Sequence, residues 1–423
     1  MKKLKGLIAI FCFVAIVSPV FAAGGRAADS GRTELNFWTW RVEDVDAYNS
    51  LFRQFEAQNP DIRVTVTAHR NTEYNTILTT ALSGGSGPDV FMSRSYGDIE
   101  SHAQSGYMLA LDDLVPELRQ FSDEARRGST SIASGRIYGV PFASQTLFVF
   151  YNRAIYQRLG LSIPRTWDQF LANCEAIRNA GIIPIGLGGR DAWILEVAMG
   201  VVAPNFYGGN NFYNRLTRGE TNFLDPAFVE SINRMNDLRP YFPDLFMGVS
   251  YDDARSLFIN ERAAHFLGGS YEGAYFRSQN PRLDFDIYAS PGRNANEHGI
   301  VSMYMDGGFS INAGTAHRDA SVRLVRFLAG RTTGDFFINT LQMVSPVPGI
   351  DASSDPFLSK IIQLQNNNST PWILRVGFRY QQPTGSSLMQ AGLQGMFGGT
   401  MTAAEVCRSL QDGVATYYAP FRR

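Results

Sequence analysis

Charge is scarce in this 423-residue chain, and its signs cancel: 18% of residues are charged, 38 basic against 39 acidic. That balance argues against nucleic acid or an anionic membrane surface as the partner, a local patch apart. Histidine is rarer. His69, His102, His265, His298 and His317 are scattered along the chain, so no metal site is read from them and no cofactor is expected. Of three cysteines, Cys12 lies in an N-terminal apolar run. Cys174 and Cys407 sit on predicted helices among apolar neighbours, where they are expected to act as two buried thiols rather than a bridge. The sequence has no Gly-x-Ser-x-Gly elbow, no His-Glu-x-x-His helix and no phosphate-binding glycine loop, which removes the common hydrolase and nucleotide signatures. After the N-terminal run, no stretch approaches the roughly 20 apolar residues of a membrane span.

What is present begins with an export signal. Lys2, Lys3 and Lys5 precede an apolar run from Leu7 to Val17, followed by Ser18, Pro19 and the small residues Val20 and Ala22. This is the layout of a cleavable signal peptide over residues 1–22. Residues 23–32 read as a flexible leader. A lipid anchor is not expected, because Cys12 stands behind the bulky Phe11 inside the run. The mature chain is expected to be periplasmic, soluble and monomeric. Its length exceeds what one core usually sustains, so two lobes are expected. Aromatic residues make up 13% of the chain and glycine occurs 40 times, which suits either a stacking surface on tight turns or an ordinary large core.

From Thr33 the pattern is strand, helix, strand, helix, strand. Leu35 and Phe37 lead to Trp38 and Trp40; Tyr48, Leu51, Phe52 and Phe55 have helical spacing that Asn59-Pro60 stops; Ile62, Val64 and Val66 alternate; Tyr74 to Leu82 is helical; Pro88 to Met92 is a buried strand. This rhythm predicts a mostly parallel sheet whose ligands sit at the carboxyl ends of its strands. Further on, Thr166 and Gln169 form a capping-box pattern for a helix ending at Gly181, before a strand from Ile182 to Leu187. Asp225-Pro226 opens a helix with its apolar face at Val229, Ile232, Met235 and Leu238. Strands are expected at Ala263–Leu267 and Phe285–Ala289, and helices around residues 321–328, 388–396 and 402–417.

The segments Phe55 to Ile62, Gly84 to Phe91, Gly135 to Phe142, Tyr151-Asn152-Arg153, Pro164 to Asp168, Gly181 to Ile185, Ala263 to Tyr271 and Gly307-Gly308 occur in an order that resembles the family 1 extracellular solute-binding proteins of ABC importers, the maltose-binding-like group. Tyr271 stands where that family often has Trp. The resemblance implies an α/β, two-lobed periplasmic-binding-protein fold (type II) with discontinuous lobes. Lobe one would span 33–141 plus about 303–345, and lobe two about 145–300 plus about 346–423. The chain would cross near Pro141, within residues 291–304 and near Pro346 to Pro348. It further implies capture of a small ligand, a sugar first, by hinge closure, and delivery to permease subunits in the membrane.

A sugar site needs polar side chains for ring-edge hydroxyls and aromatic faces for the C–H surface. Candidate ligand-binding residues are Trp40, Arg41 and Glu43 after the first strand, Ser93, Arg94 and Ser95 after the third, and Gln145 past the first crossing. From lobe two, Trp193, Tyr271 and Glu272 resemble the family's contact positions, while Asp306 and Gly307 come from the returning lobe-one segment and Trp372 and Arg379 from the late irregular stretch. Trp193 and Tyr271, each just after a glycine turn, have the strongest claim, while Trp167 is read as packing and Asp89 as ordering a turn. Arg41, Arg94 and Arg379 leave an acidic sugar or a phosphorylated polyol open as the ligand; relatives of this architecture also take polyamines. Glu43, Glu272 and Asp306 could be cast as glycosidase carboxyls, a distant alternative, since nothing in their spacing marks them out.

Overall fold

The computed structural model describes residues 31–422. The signal peptide and most of the expected leader lie outside the described residues. Among the described residues there are eleven strands: β1 Thr33–Thr39, β2 Ile62–Ala68, β3 Val90–Arg94, β4 Val140–Pro141, β5 Ser144–Asn152, β6 Ile183–Ile185, β7 Ala263–Gly269, β8 Phe285–Tyr288, β9 Val301–Met305, β10 Gly307–Ile311 and β11 Ser369–Pro371.

The first sheet has the order β2-β1-β3-β10-β4. Its founding part follows from the alternation: Leu35 and Phe37 are fully buried, and helix Val45–Gln58 lays Tyr48, Leu51, Phe52 and Phe55 into the same core. Asp89 ties this sheet together, its carboxylate accepting from the Asn36 amide at 2.9 Å and the Thr315 hydroxyl at 2.5 Å. The expectation of a mostly parallel sheet fails past β3. Only the β1–β2 and β1–β3 ladders are parallel, whereas β10 runs antiparallel to both β3 and β4. The reason is topological: β10 enters from the other half of the chain, so no crossover helix sets its direction.

The second sheet has the order β11-β9-β5-β7-β6, with β8 also on β5. β5 is buried at all nine positions and pairs antiparallel with β7, β8 and β9. Covered on both faces, it reads as a continuous run rather than an alternation. Two separate apolar cores result, one beneath each sheet. β9 belongs to the second sheet and β10 to the first, and Asp306 is the single residue between them.

The Thr166 hydroxyl accepts from the Gln169 amide at 3.3 Å, but the Gln169 side chain accepts from the Arg165 amide at 2.8 Å, one residue before the cap. The box there is half formed. Complete boxes occur at Ser250 with Asp253 and at Thr402 with Glu405. Asp225 caps helix Pro226–Asn233 as expected, but the helix stops early, and the buried Leu238 lies in a 3-10 turn, Asn236–Tyr241, that contains Pro240. Proline removes an amide donor and crowds the preceding turn, so the α-helix cannot run through it. Cys174 and Cys407 are both buried and unpaired.

Candidate functional site: an interlobe cleft

A cleft of about 300 Å³ lies where the two sheets face each other. One wall is built at the carboxyl ends of the first three strands: Trp40, Arg41, Val42 and Glu43 after β1, Arg70, Asn71 and Thr72 after β2, and Arg94 at the end of β3. That is where an open α/β sheet leaves a crevice. The other wall comes from helix Ala192–Val202 (Trp193, Glu196, Val197), helix Tyr251–Ile259 (Tyr251, Asp252, Arg255), the turn after β7 (Tyr271, Glu272), Tyr304 of β9 and the C-terminal residues Trp372, Arg375, Arg379 and Gln390. Asp306 stands at the crossing between them.

Of the residues picked from sequence, Trp40, Arg41, Glu43, Arg94, Trp193, Tyr271, Glu272, Asp306, Trp372 and Arg379 border the cleft. Ser93, Ser95, Gln145 and Gly307 do not, and each is correspondingly buried for another purpose. The Ser93 hydroxyl donates to the Gly308 carbonyl at 3.0 Å and meets the Ser310 hydroxyl at 2.9 Å, clamping β3 to β10. The Ser95 amide donates to the Asp306 carbonyl at 3.4 Å. A Cβ on Gly307 would lie 2.0 Å from the Ser93 carbonyl oxygen, so glycine there permits close strand approach. Gln145 works from beneath the cleft: its Nε2 donates to Asp306 Oδ2 at 3.2 Å, and its Oε1 accepts from the Ser270 hydroxyl at 2.5 Å. Trp193, which follows the Gly188-Gly189 turn, lies in the first turn of helix Ala192–Val202. Every residue of that helix from Ile194 on is buried, which erased the amphipathic period by which a helix is normally recognised.

The charged side chains of the lining are all engaged. Asp306 faces Arg94 Nη1 at 4.0 Å and Arg375 Nη2 at 3.8 Å. Burial pulls the Arg94 guanidinium down to about 10, with Asp306 opposing, so it remains a cation at neutral pH. Glu272 accepts from the Tyr251 hydroxyl at 2.6 Å and lies 3.3 Å from Arg255 Nε. Burial raises its pKa above the ordinary carboxyl value, while Arg255 and the Tyr251 hydrogen bond hold it back. Arg255 itself stacks between Tyr275 at 3.3 Å and Tyr251 at 4.7 Å. Burial disfavours the Arg41 cation, but Asp44 and Glu43 outweigh it and raise its pKa. Glu196 accepts from Ser386 at 2.7 Å and Gln390 at 2.6 Å. At the rim, Arg70 pairs with Asp252 across the cleft at 3.6 Å, and Arg379 with Asp98 at 3.3 Å.

Aromatic rings divide between the walls. Trp193 and Tyr271 are partly exposed, and Trp193 packs edge-on against Tyr251 at 4.6 Å. Trp372 and Tyr304 form a tilted pair at 5.0 Å. Trp40 is buried. Arg70 to Thr72 were missed although the rule that found Trp40 and Arg94 applies equally to the end of β2. Tyr304 and Arg375 carry no local signal at all: one sits in a strand and the other in a short helix, Ile373–Gly377.

Residues 40–333 match the model of the bacterial extracellular solute-binding protein family. The chain belongs to that family. This solute-binding protein is 25% identical over 341 residues to the multiple sugar-binding protein of Streptococcus mutans, covering 77% of this chain and 78% of that one. Its fold is shared with a chitin oligosaccharide binding protein at a TM-score of 0.77 and 20% identity, covering 92% and 99% of the two chains. It is shared also with the solute receptor AcbH, described as preferring β-D-galactopyranose, at 0.78 and 20% identity over 92% and 100%. Both are solute-binding proteins, and at such identities the likeness shows the two-lobed fold. Among the described residues no helix is long and apolar enough to cross a membrane.

Proposed function

We propose that this solute-binding protein captures a neutral mono- or oligosaccharide in the interlobe cleft, closes around it, and presents it as a monomer to the permease of an ABC importer on the periplasmic side. The observation that carries the reading is the combination of partly exposed Trp193 and Tyr271 with a lining in which every charged side chain already has a partner. Each cation of the lining lies against a carboxylate, with Asp306 serving both Arg94 and Arg375, which disfavours an acidic sugar or phosphate ester, while Glu196 is held by neutral donors, the Ser386 hydroxyl and the Gln390 amide. Paired charges instead offer fixed donors and acceptors to hydroxyls, and hydrogen bonds involving ionised groups are the stronger kind. The cleft volume, at the low end for small-molecule sites, supports a short saccharide. The names of the relatives, a multiple sugar-binding protein, a chitin oligosaccharide binding protein and a galactopyranose receptor, support the same class.

A hydrolase reading gains nothing from the geometry, because Glu272 and Asp306 are tied to arginines and Glu43 to Arg41. Closure would follow from ligand contacts on both walls, to the extent that the closed form binds better than the open one. Thermal-shift titration against neutral sugars, uronic acids, glycerol phosphates and spermidine is expected to show stabilisation by neutral sugars, since only a ligand of the native state raises the melting temperature. Stabilisation by a charged class alone would overturn the reading, and turnover of a glycoside would return the enzyme alternative.

A further inference from the structure

The first aromatic residue that the sequence offers to a ligand is already covered. The Trp40 ring meets Tyr74 edge-on at 5.4 Å and Phe142 at a tilt at 5.7 Å. Over its face lies the guanidinium of Arg94, with Cζ 3.7 Å from the ring centroid. That guanidinium is fixed from two further sides. Nη2 donates to Asn71 Oδ1, and Nη1 lies 4.0 Å from Asp306 Oδ1. The Arg94 side chain is 15% exposed and borders the cleft. A planar cation on an indole face is a favourable stack, and more so where water is excluded. A pyranose would need the same face for its C–H surface, so guanidinium and sugar cannot occupy it together.

We propose that Arg94 is a specificity-determining residue: its guanidinium plugs the stacking position on Trp40, so that ligand rings are received by the aromatics of the opposite wall and short saccharides are selected over long ones. The inference rests on the carbohydrate reading above. It differs from an anion-anchoring role, which would require Arg94 to be free for the ligand; here its ring, amide and carboxylate partners occupy it within the protein.

Two readouts on the full chain test this. The first uses no ligand. Hydroxyl-radical footprinting read by peptide mass spectrometry is expected to find Trp40 protected in the unaltered protein and in Arg94→Met, which keeps an unbranched cover without the charge, and reactive in Arg94→Ala. The second is calorimetric titration with mono-, di-, tri- and tetrasaccharides of glucose, galactose and N-acetylglucosamine. In Arg94→Ala the ratio of tetrasaccharide to monosaccharide affinity is expected to rise about tenfold, the scale of one added aromatic contact, with Arg94→Met unchanged. Asn71→Ala releases the guanidinium from its tether and should move both readouts the same way, which keeps the test available if Arg94→Ala does not fold. Equal Trp40 reactivity in all forms, or an unaltered length ratio with sugar binding intact, overturns the plug. Loss of uronic acid or sugar phosphate binding in both Arg94 variants also overturns it and makes Arg94 an anion anchor. If Trp40 becomes reactive as expected while no sugar binds any form, the cover stands and the carbohydrate reading falls.

Discussion

The two walls of the cleft use aromatic residues in opposite ways. On the first, Trp40 is 4% exposed and boxed in by Tyr74, Phe142 and Arg94, so it serves as the end of a core. On the second, Trp193 and Tyr271 project from a helix start and a 3-10 turn and keep part of their surface open. Both walls carry charged groups held by hydrogen bonds or ion pairs, and the second adds partly open rings. The difference teaches that an aromatic residue after a strand is not by itself a ligand platform, because what covers it comes from elsewhere in the sequence.

Asp306 is the residue both walls share, and its removal should have the largest effect. Asp306→Ala leaves Arg94 and Arg375 without their common carboxylate and Gln145 Nε2 without its acceptor. Breaking such a buried pair from one side costs about 3 to 5 kcal/mol, which urea unfolding would read. A loss below about 1 kcal/mol would mean the two walls are held independently of the crossing.

Next comes the contrast between tryptophans. Trp40→Ala is expected to destabilise the fold by about 3 kcal/mol, as large-to-small core changes do. Trp193→Ala should leave the melting temperature nearly unchanged and weaken sugar binding by about 30-fold, in keeping with a central aromatic contact. The opposite assignment, with Trp40→Ala costing affinity and Trp193→Ala costing stability, would invert the comparison of the walls. Tyr271→Ala is expected to follow Trp193→Ala.

The lobes also differ in acid response. His265, in the second core, is fully buried between the Tyr156 hydroxyl at 2.6 Å and the Pro184 carbonyl at 2.8 Å, and burial lowers its pKa to about 4. An unfolded histidine titrates near 6.5. Between these values the unfolded chain binds more protons than the native one, so stability is full above about pH 6.5 and falls as pH drops toward 4. In the first lobe, His102 is shifted in the same direction by burial, with Asp98 opposing. Replacing His265 with glutamine should flatten the measured dependence of unfolding free energy over that window more than replacing His102 does. Equal flattening would show no difference between the lobes.

The smallest effect belongs to the rim. Arg70 and Asp252 are both well exposed, with side chains 69% and 64% accessible. Solvent and salt screen such a pair, so Asp252→Asn should change sugar affinity by no more than about threefold and less still in high salt. A larger, salt-resistant change would make the rim pair a part of closure in its own right.

What the sequence determined by itself was whatever short-range patterning encodes. The strand alternation of Leu35 and Phe37, the helix from Val45, the turn-ordering Asp89 and the cap at Asp225 all formed, because each depends on neighbours a few residues away. Family motifs supplied the two-lobed fold, and the strand-end rule placed Trp40, Arg41 and Arg94 at the cleft. What only the tertiary structure decided was orientation and company across long separations. Ser93, Ser95 and Gly307 sit next to cleft residues in sequence, yet Ser93 faces β10, since one step along a strand reverses the side chain, Gly307 lies against β3, and Gln145, remote in sequence from the lining, sits in the layer beneath. Tyr251, Tyr304 and Arg375 reach the site from a helix, a buried strand and a short late helix, with no local pattern to announce them. The guanidinium of Arg94 lies on Trp40 because β3 ends beside β1 in the sheet, a proximity that exists only once the strands have paired.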